Sequence, residues 1–396
     1  MAAIQPNVQM QSLTEIVHAY DHRAPLERAH TIPAPWYTDA RLAALENSAI
    51  FARTWQMAAR SGQIIRPSDF VTAEIADEPI VVVRGADGAL RAFYNVCRHH
   101  AAAVVTEAAG HASNFRCPYH GWTYGVDGAL KGTPDFDGVC DFDRAQNGLL
   151  PARVDTWENF VFVNLDSGAV SLNSFFGRLV ERVKPLNLAK LHFVERRTYE
   201  LNCNWKVYVD NYLDGGYHVP HLHKGLNSVL DYSNYTIENE DRYSLQSSPV
   251  KASNPGADAD AAATRQGDRA CYFWQYPNFM LNWYEGYLDT NLVLPLSVDR
   301  CRVIFDFYFA EVDATSADYN RQSISVSHRV QEEDVGICEA VQRGLHSRAY
   351  NAGRLSVRRE AGEHLFHRLL YSDLSAALAR GDAEASENRA AVQRAV

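Results

Sequence analysis

The sequence contains no long apolar run, no excess of basic residues and no regular spacing of cysteines. Its most apolar segments, such as residues 80–83 and 160–165, have the length of buried strands and are too short to span a membrane. The N-terminus does not combine a basic start with an apolar stretch, so no secretory signal is predicted. We therefore expect a cytoplasmic protein without a membrane partner.

The balance of charge argues against nucleic acid and anionic membranes as partners. The chain has 396 residues, with 38 Lys and Arg against 48 Asp and Glu, and its formal net charge is −10. An acidic surface of this kind argues against binding to nucleic acid or to anionic lipid. It is compatible with a cationic substrate, although a solubilising surface is the simpler explanation.

The seven cysteines are an odd, scattered set, which is not typical of a disulfide framework. Two of them belong to a paired pattern: Cys97-x-His99, then seventeen residues, then Cys117-x-x-His120. Zinc sites seldom interleave cysteine and histidine in this order, although a zinc knuckle remains the alternative. The pattern suits a [2Fe–2S] cluster in which Cys97 and Cys117 bind one iron and His99 and His120 bind the other.

A second polar segment follows in the C-terminal half of the chain. Asp210 and Asp214 lie one helical turn apart, and a Gly-Gly pair then interrupts the predicted helix before His218 and His223. Two histidines and one carboxylate form the facial triad of non-haem Fe(II) oxygenases. His221 is a rival for the second position, and an acidic helix face with surface histidines is the alternative explanation.

The carboxylate of such a triad must come from another part of the chain. The best candidate is Asp334, because it opens an apolar run within a predicted helix and can face inward. Turn signals and short β-rich runs separate a small all-β unit from the rest. We predict an N-terminal segment over residues 1–55, a cluster domain over 56–165 and a catalytic domain over 166–396, with a loop over 252–268.

The order C-R-H…C-P-Y-H-G-W, then N-W-K…D-N-Y…Y-H…H, resembles the α subunits of the Rieske non-haem iron aromatic-ring-hydroxylating oxygenases. The resemblance runs from Trp36 to the helix of Asp334. It implies an α+β fold, in which an all-β Rieske domain is inserted in a helix-grip catalytic domain of antiparallel sheet and helices. It also implies a mononuclear Fe(II), O₂, a reductase or ferredoxin as electron donor, and a head-to-tail ring, commonly a homotrimer.

In that family an acidic residue bridges the two metal centres of neighbouring subunits. The resemblance makes Asp214 the bridge here. Many members place this acid three residues before the first histidine ligand, where this chain has Gly215, and Asp214 lies four before. Asp210 is therefore the next residue to consider.

Three segments, residues 210–220, 276–282 and 289–296, are most similar to the choline monooxygenase branch of the family. The resemblance implies a small quaternary ammonium substrate, with oxidation of choline to betaine aldehyde as the first choice. Aromatic rings attract trimethylammonium groups, which makes Trp283, Tyr284 and Tyr287 the candidate contacts. The alternatives are demethylation of glycine betaine, proline betaine or a related amine, aromatic-ring hydroxylation with a separate β subunit, and a non-enzymatic electron carrier.

Overall fold

The computed structural model describes residues 11–251 and 258–394. The chain divides into a smaller unit, Ile50–Lys190, and a larger unit that combines Met1–Ala49 with Leu191–Val396. Residues 166–190 thus belong to the smaller unit, whereas the sequence analysis assigned them to the catalytic domain. The physical reason is aromatic packing, because the Phe176 ring lies 5.0 Å from that of Trp157 and 5.1 Å from that of Phe162.

Antiparallel strands build the smaller unit. One sheet has the order β1-β10-β9-β4-β3-β2-β5 and a second has the order β6-β7-β8. The strands are β1 Gln56–Arg60, β2 Asp69–Ile75, β3 Glu78–Arg84, β4 Leu90–Tyr94, β5 Ala109–His111, β6 Asn114–Arg116, β7 Thr123–Gly125, β8 Leu130–Gly132, β9 Pro151–Trp157 and β10 Phe160–Asn164. Two Asp-Gly turns, at Gly88 and Gly128, join β3 to β4 and β7 to β8, as the sequence predicts.

The larger unit is an antiparallel sheet with helices, and the predicted α+β class is confirmed. Its strand order is β11-β17-β16-β15-β14-β13-β12. The strands are β11 His192–Leu201, β12 Thr236–Glu240, β13 Tyr243–Pro249, β14 Arg269–Gln275, β15 Phe279–Tyr284, β16 Tyr287–Ser297 and β17 Arg300–Phe309. Strands β15 and β16 pair antiparallel, and this places Asn282 of β15 opposite Asp289 of β16.

The helices of both units, in chain order, are α1 Leu13–His18, α2 Pro35–Thr38, α3 Ala40–Glu46, α4 Leu172–Phe176, α5 Leu179–Val183, α6 Trp205–Leu213, α7 Val219–Leu222, α8 Lys224–Val229, α9 Ala259–Thr264, α10 Ala317–Leu345 and α11 Ala361–Arg394. Helices α4 and α5 belong to the smaller unit and the others to the larger. Over the described residues, no helix combines the length and apolarity needed to cross a membrane.

A buried ion pair holds α6, the helix that contains Asp210 and is followed by Asp214 as its C-cap residue. Lys206 Nζ lies 2.5 Å from Glu46 Oε1, and Trp205 donates to the other oxygen of Glu46 at 2.8 Å. The helix then ends at two glycines whose φ angles are both 68°. A Cβ at Gly215 would come within 2.1 Å of the Arg359 carbonyl oxygen, so a side chain is excluded there. The chain can therefore turn sharply between Asp214 and His218.

The loop predicted over residues 252–268 is only partly a loop. Residues 252–257 lie outside the described residues, but Ala259–Thr264 form α9. Asp258 caps this helix by accepting from the Ala261 N–H at 2.9 Å. The expectation was wrong for this stretch because Asp before an alanine-rich run is a helix start. Arg265 is the C-cap residue that follows α9, and its side chain lines the cavity described below.

Candidate metal centres and substrate cavity

Two matching loops in the smaller unit carry the paired Cys and His residues. In the first, the Cys97 N–H donates to the Ala102 carbonyl at 2.8 Å and the Ala101 N–H donates to the Cys97 carbonyl at 3.0 Å. In the second, Cys117 forms the same two bonds with Trp122 and Gly121, at 2.8 and 3.0 Å. Ala101 and Gly121 both adopt left-handed φ angles, 61° and 71°. The loops therefore present their cysteine and histidine side chains in equivalent ways.

Thiols and imidazoles occupy different depths of this site. Cys97 and Cys117 are buried, whereas the Nδ1 atoms of His99 and His120 meet at 3.1 Å near the surface. The Tyr124 hydroxyl accepts from the Arg98 N–H at 2.9 Å and lies 3.4 Å from the Cys97 sulfur, so its proton can point at a thiolate. Two buried sulfurs and two outer imidazole nitrogens fit a two-iron cluster with one iron at each depth.

A second set of groups converges in the larger unit. The ligand atoms of His218, His223 and Asp334 all lie within 4.8 Å of one another. His223 Nε2 is 3.1 Å from Asp334 Oδ1, and His218 Nε2 is 3.9 Å from the same oxygen. His218 and His223 flank the short helix α7, and Asp334 lies on the buried face of α10. This is a facial donor set with room for one metal ion.

Carboxylates on the far side of both imidazoles fix their orientation. Asp214 Oδ2 lies 2.6 Å from His218 Nδ1, and Glu333 Oε2 lies 2.6 Å from His223 Nδ1. A proton on each Nδ1 leaves each Nε2 free as a lone-pair donor to a metal. Burial lowers the pKa of His223, but the carboxylates of Asp334 and Glu333 outweigh it and hold that pKa above its usual value.

The rival residues lie elsewhere. His221 is exposed on α7 and is outside the converging set. Asp210 accepts from the Tyr37 hydroxyl at 2.5 Å and lies 3.0 Å from His367 Nε2, where Glu363 also approaches. Of these two aspartates, Asp214 and not Asp210 thus contacts a residue of the triad.

A cavity of about 120 Å³ adjoins the triad. Its wall combines aromatic rings with a few buried polar groups. It includes Tyr212, Tyr235, Tyr272, Tyr284, Phe305, Arg265, Asn282, Asp289, Asn291, Ser327 and Gln331. Asp289 is buried and accepts from Asn282 Nδ2 at 2.5 Å, from the Tyr287 hydroxyl at 2.5 Å and from Ser327 Oγ at 3.0 Å. Burial raises its pKa, and these hydrogen bonds oppose the shift.

Comparison with known families decides what these two sites belong to. Residues 54–143 match the Rieske [2Fe-2S] domain, and residues 188–375 match the catalytic domain of the ring hydroxylating alpha subunit. The chloroplastic choline monooxygenase of Arabidopsis thaliana is 38% identical over 92% of this chain and 88% of its own. The chain belongs to the Rieske non-haem iron oxygenases. It is a monooxygenase-type enzyme with a Rieske cluster domain and a mononuclear iron domain.

Bacterial Rieske oxygenases are similar as well. The carnitine monooxygenase oxygenase subunit of Acinetobacter pittii is 30% identical over 87% of this chain and 93% of its own. The solved quaternary ammonium Rieske monooxygenase CntA, in complex with L-carnitine, aligns with a TM-score of 0.76 at 29% identity, over 88% of this chain and 96% of that chain. Naphthalene 1,2-dioxygenase shares the fold, with a TM-score of 0.73 at 19% identity over 90% of this chain and 95% of its own.

The predicted substrate contacts of this Rieske oxygenase divide by strand geometry. Tyr284 lines the cavity together with Asn282, two residues earlier on β15. Trp283 projects from the opposite face of that strand, because side chains alternate along it. Tyr287 is fully buried and is not part of the cavity lining, although its hydroxyl bonds to Asp289 and Ser327 of that lining. The structure thus brings one of the three predicted aromatic residues to the cavity.

Several cavity residues were not singled out from the sequence. Asp289 lies opposite Asn282 across β15 and β16, and Asn291 follows two residues later on β16. This grouping of polar side chains on two apolar strands is a usable signal. Arg265 offered none, since it follows an Ala- and Asp-rich stretch that resembles a surface loop.

Replacing Cys97 by serine is expected to bleach the visible absorption of the Rieske cluster and to abolish its EPR signal. The variant removes one of the two buried sulfurs that we predict to bind one cluster iron. Cys140→Ser is the control, because Cys140 is exposed and free, and this variant should keep the full signal. A normal Rieske EPR signal in Cys97→Ser would show that the cluster lies elsewhere.

Proposed function

We propose that this Rieske oxygenase oxidises a small quaternary ammonium compound, with choline as the first candidate. One observation carries the proposal: the cavity beside the triad combines tyrosine rings with the buried Asp289 carboxylate. Ring faces and a carboxylate are the groups that attract a trimethylammonium cation. The similarity to choline monooxygenases and to carnitine monooxygenase subunits supports the same class of substrate.

The cavity size argues against a fused aromatic substrate. Its volume of about 120 Å³ is comparable to the roughly 150 Å³ cavity that binds a single benzene molecule. Choline and other small trimethylammonium compounds are within this range. The polar wall also disfavours a hydrocarbon, since it would leave Asn291 Nδ2 without an acceptor and would give the buried Asp289 carboxylate no cationic partner.

The same proposal assigns roles to the residues of the two centres. Cys97 and Cys117 would bind one cluster iron and His99 and His120 the other. His218, His223 and Asp334 would hold the mononuclear Fe(II), which supplies activation of O₂ when it is bound. The reaction balances as one C–H bond, O₂, two electrons and two protons giving one C–OH bond and water. A reductase or ferredoxin would supply the electrons.

Asp214 would couple the two centres. Its carboxylate accepts from His218 Nδ1 at 2.6 Å, and Oδ1 and Oδ2 also accept from the backbone N–H groups of Tyr217 and His218 at 3.1 and 3.0 Å. Three donors orient this carboxylate. The solved relative CntA is described as using inter-subunit electron transfer. We infer the same arrangement here, a ring of subunits in which Asp214 also meets a cluster histidine of the next copy.

The direct test compares choline with 3,3-dimethylbutan-1-ol, in which a carbon atom replaces the quaternary nitrogen. The two molecules have almost the same shape, so any difference reports the charge. With a generic reductase, O₂ consumption coupled to product is expected for choline, and at least about tenfold lower kcat/KM for the neutral alcohol. Mass spectrometry distinguishes betaine aldehyde from demethylated amine plus formaldehyde. Equal oxidation of the two alcohols would contradict the proposal.

A further inference from the structure

Arg265 places a permanent positive charge in the wall of the substrate cavity. The side chain is 4% exposed. One terminal nitrogen donates to Ser323 Oγ at 2.7 Å and the other to Ser327 Oγ at 2.7 Å. Its guanidinium carbon lies 4.7 Å from the Tyr287 ring centre and 5.0 Å from that of Tyr284. An arginine is not deprotonated in proteins, so this charge is always present.

This charge has no carboxylate in direct contact. Its closest acidic neighbour in the cavity wall is reached through Ser327, whose hydroxyl accepts from Arg265 and donates to Asp289 Oδ2. Within the described part of the chain, no ion pair of 4.0 Å or less joins Arg265 to an acid. A buried charge normally has an ionic partner at contact distance, because desolvation is otherwise uncompensated. An anion bound in the cavity could therefore serve as the counterion of Arg265.

A second group in the wall, the Asn291 amide, has a donor without an acceptor. Asn282 Nδ2 must face the Asp289 carboxylate, and it also donates to Asn291 Oδ1 at 2.6 Å. That contact fixes the orientation of the Asn291 amide. It leaves Asn291 Nδ2 as a buried donor without a partner. Asn291 is 1% exposed and lines the same cavity. A charged group without a contacting carboxylate and a neutral donor without an acceptor thus line the same cavity.

We propose that Arg265 and Asn291 form a carboxylate-binding subsite, and that the substrate is a trimethylammonium carboxylate, a betaine. This inference rests on the proposed quaternary ammonium function and narrows it. The carboxylate would meet the guanidinium and the amide, while the trimethylammonium group would meet the tyrosine rings and Asp289. Choline brings a second positive charge into the cavity and only one hydroxyl, so it leaves the Arg265 charge without a counterion.

Two pairs of compounds test the subsite in the holoenzyme, by anaerobic calorimetry. Glycine betaine is paired with choline, and γ-butyrobetaine with (4-hydroxybutyl)trimethylammonium, so that within a pair a carboxylate replaces a hydroxymethyl group. In at least one pair the acid is expected to bind on the order of 100-fold more tightly than the alcohol, as for a buried charge pair. An alcohol that binds as tightly as its acid in both pairs overturns the subsite.

Substitutions then assign the preference to Arg265. Arg265→Gln should reduce the preference for the acid over the alcohol to about threefold or less. Binding of the alcohol should be unchanged or tighter, because the charge that repels its cation is gone. Arg265→Lys keeps a charge but not the two-pronged geometry and should fall between. Arg329→Gln is the matched control, since Arg329 contacts Asp258 at the start of α9 at 3.0 Å and does not line the cavity. It should keep the wild-type preference.

The outcomes separate the two levels of the account. Equal weakening of acid and alcohol in Arg265→Gln would assign Arg265 a merely structural role and overturn the subsite. Turnover of choline without preference for any acid would overturn the subsite and leave the quaternary ammonium function standing. If none of the four compounds binds or is oxidised, the proposed function fails and the subsite fails with it. The wild-type comparison decides these points even if Arg265→Gln does not fold.

Discussion

Replacing His223 by alanine is expected to lower kcat by roughly 10³-fold or more, as for loss of one member of a group that acts as a unit. His223 is 1% exposed, its Nε2 lies 3.1 Å from Asp334, and Glu333 orients its other nitrogen. The iron content should fall from about three to about two per chain, because only the cluster irons remain. His218→Ala and Asp334→Ala should behave alike, with the Rieske EPR signal intact.

His221→Ala is the matched control for these variants. The two histidines are separated by one residue, but His221 is exposed and outside the converging set. This variant should keep its iron and most of its activity. Loss of iron in His221→Ala, with full activity in His223→Ala, would move the second ligand to His221.

Asp214→Asn is expected to retain both metals and to lower turnover by about 100-fold, the upper end for losing an outer partner of a metal-binding histidine. Three N–H donors point at the two oxygens of Asp214. An amide has only one oxygen, so at least one donor would face an NH₂ group. The amide oxygen best serves the two His218 donors at the Oδ2 position, so the Tyr217 N–H loses its acceptor. The charge next to His218 is lost, while the shape is kept.

The measurement for Asp214→Asn is stopped-flow reoxidation of the reduced cluster by O₂ with substrate present. The cluster should stay reduced far longer than in the wild type. Asp210→Asn is the control, since its carboxylate contacts Tyr37 and His367 and no member of the triad. It should reoxidise at the normal rate. Fast reoxidation with product formation in Asp214→Asn would reject the bridge and make Asp210 the next candidate.

The grouping of the candidate metal ligands could be predicted from the sequence because most of their signals are local. Each cluster loop carries its own Cys and His within four residues, and His218 and His223 lie within one turn-rich segment. Asp334 required one further step, because an apolar run in the sequence had to be interpreted as the inward face of a helix. The structure brings it to the histidines on the buried face of α10. Spacing and helical period were sufficient for these positions.

The substrate cavity could be predicted only in part, because strand pairing decides it. Trp283, Tyr284 and Tyr287 look equivalent in the sequence, but alternation along β15 and the turn into β16 bring only Tyr284 to the cavity. Arg265 follows α9 and donates to Ser323 and Ser327 of α10, which lie 58 and 62 residues away in the sequence. The division of the chain at residue 190 was not predicted, because it depends on the aromatic packing of α4, which is a tertiary contact.

A single-turnover experiment tests the central claim most directly. The enzyme is reduced, freed of reductase and mixed with O₂, with and without the quaternary ammonium compound that binds most tightly. We predict rapid reoxidation of the cluster and a near-stoichiometric yield of oxidised product only when that compound is present, and neither in His223→Ala. Reoxidation of the cluster without product, for every quaternary ammonium compound in the series, would contradict the account.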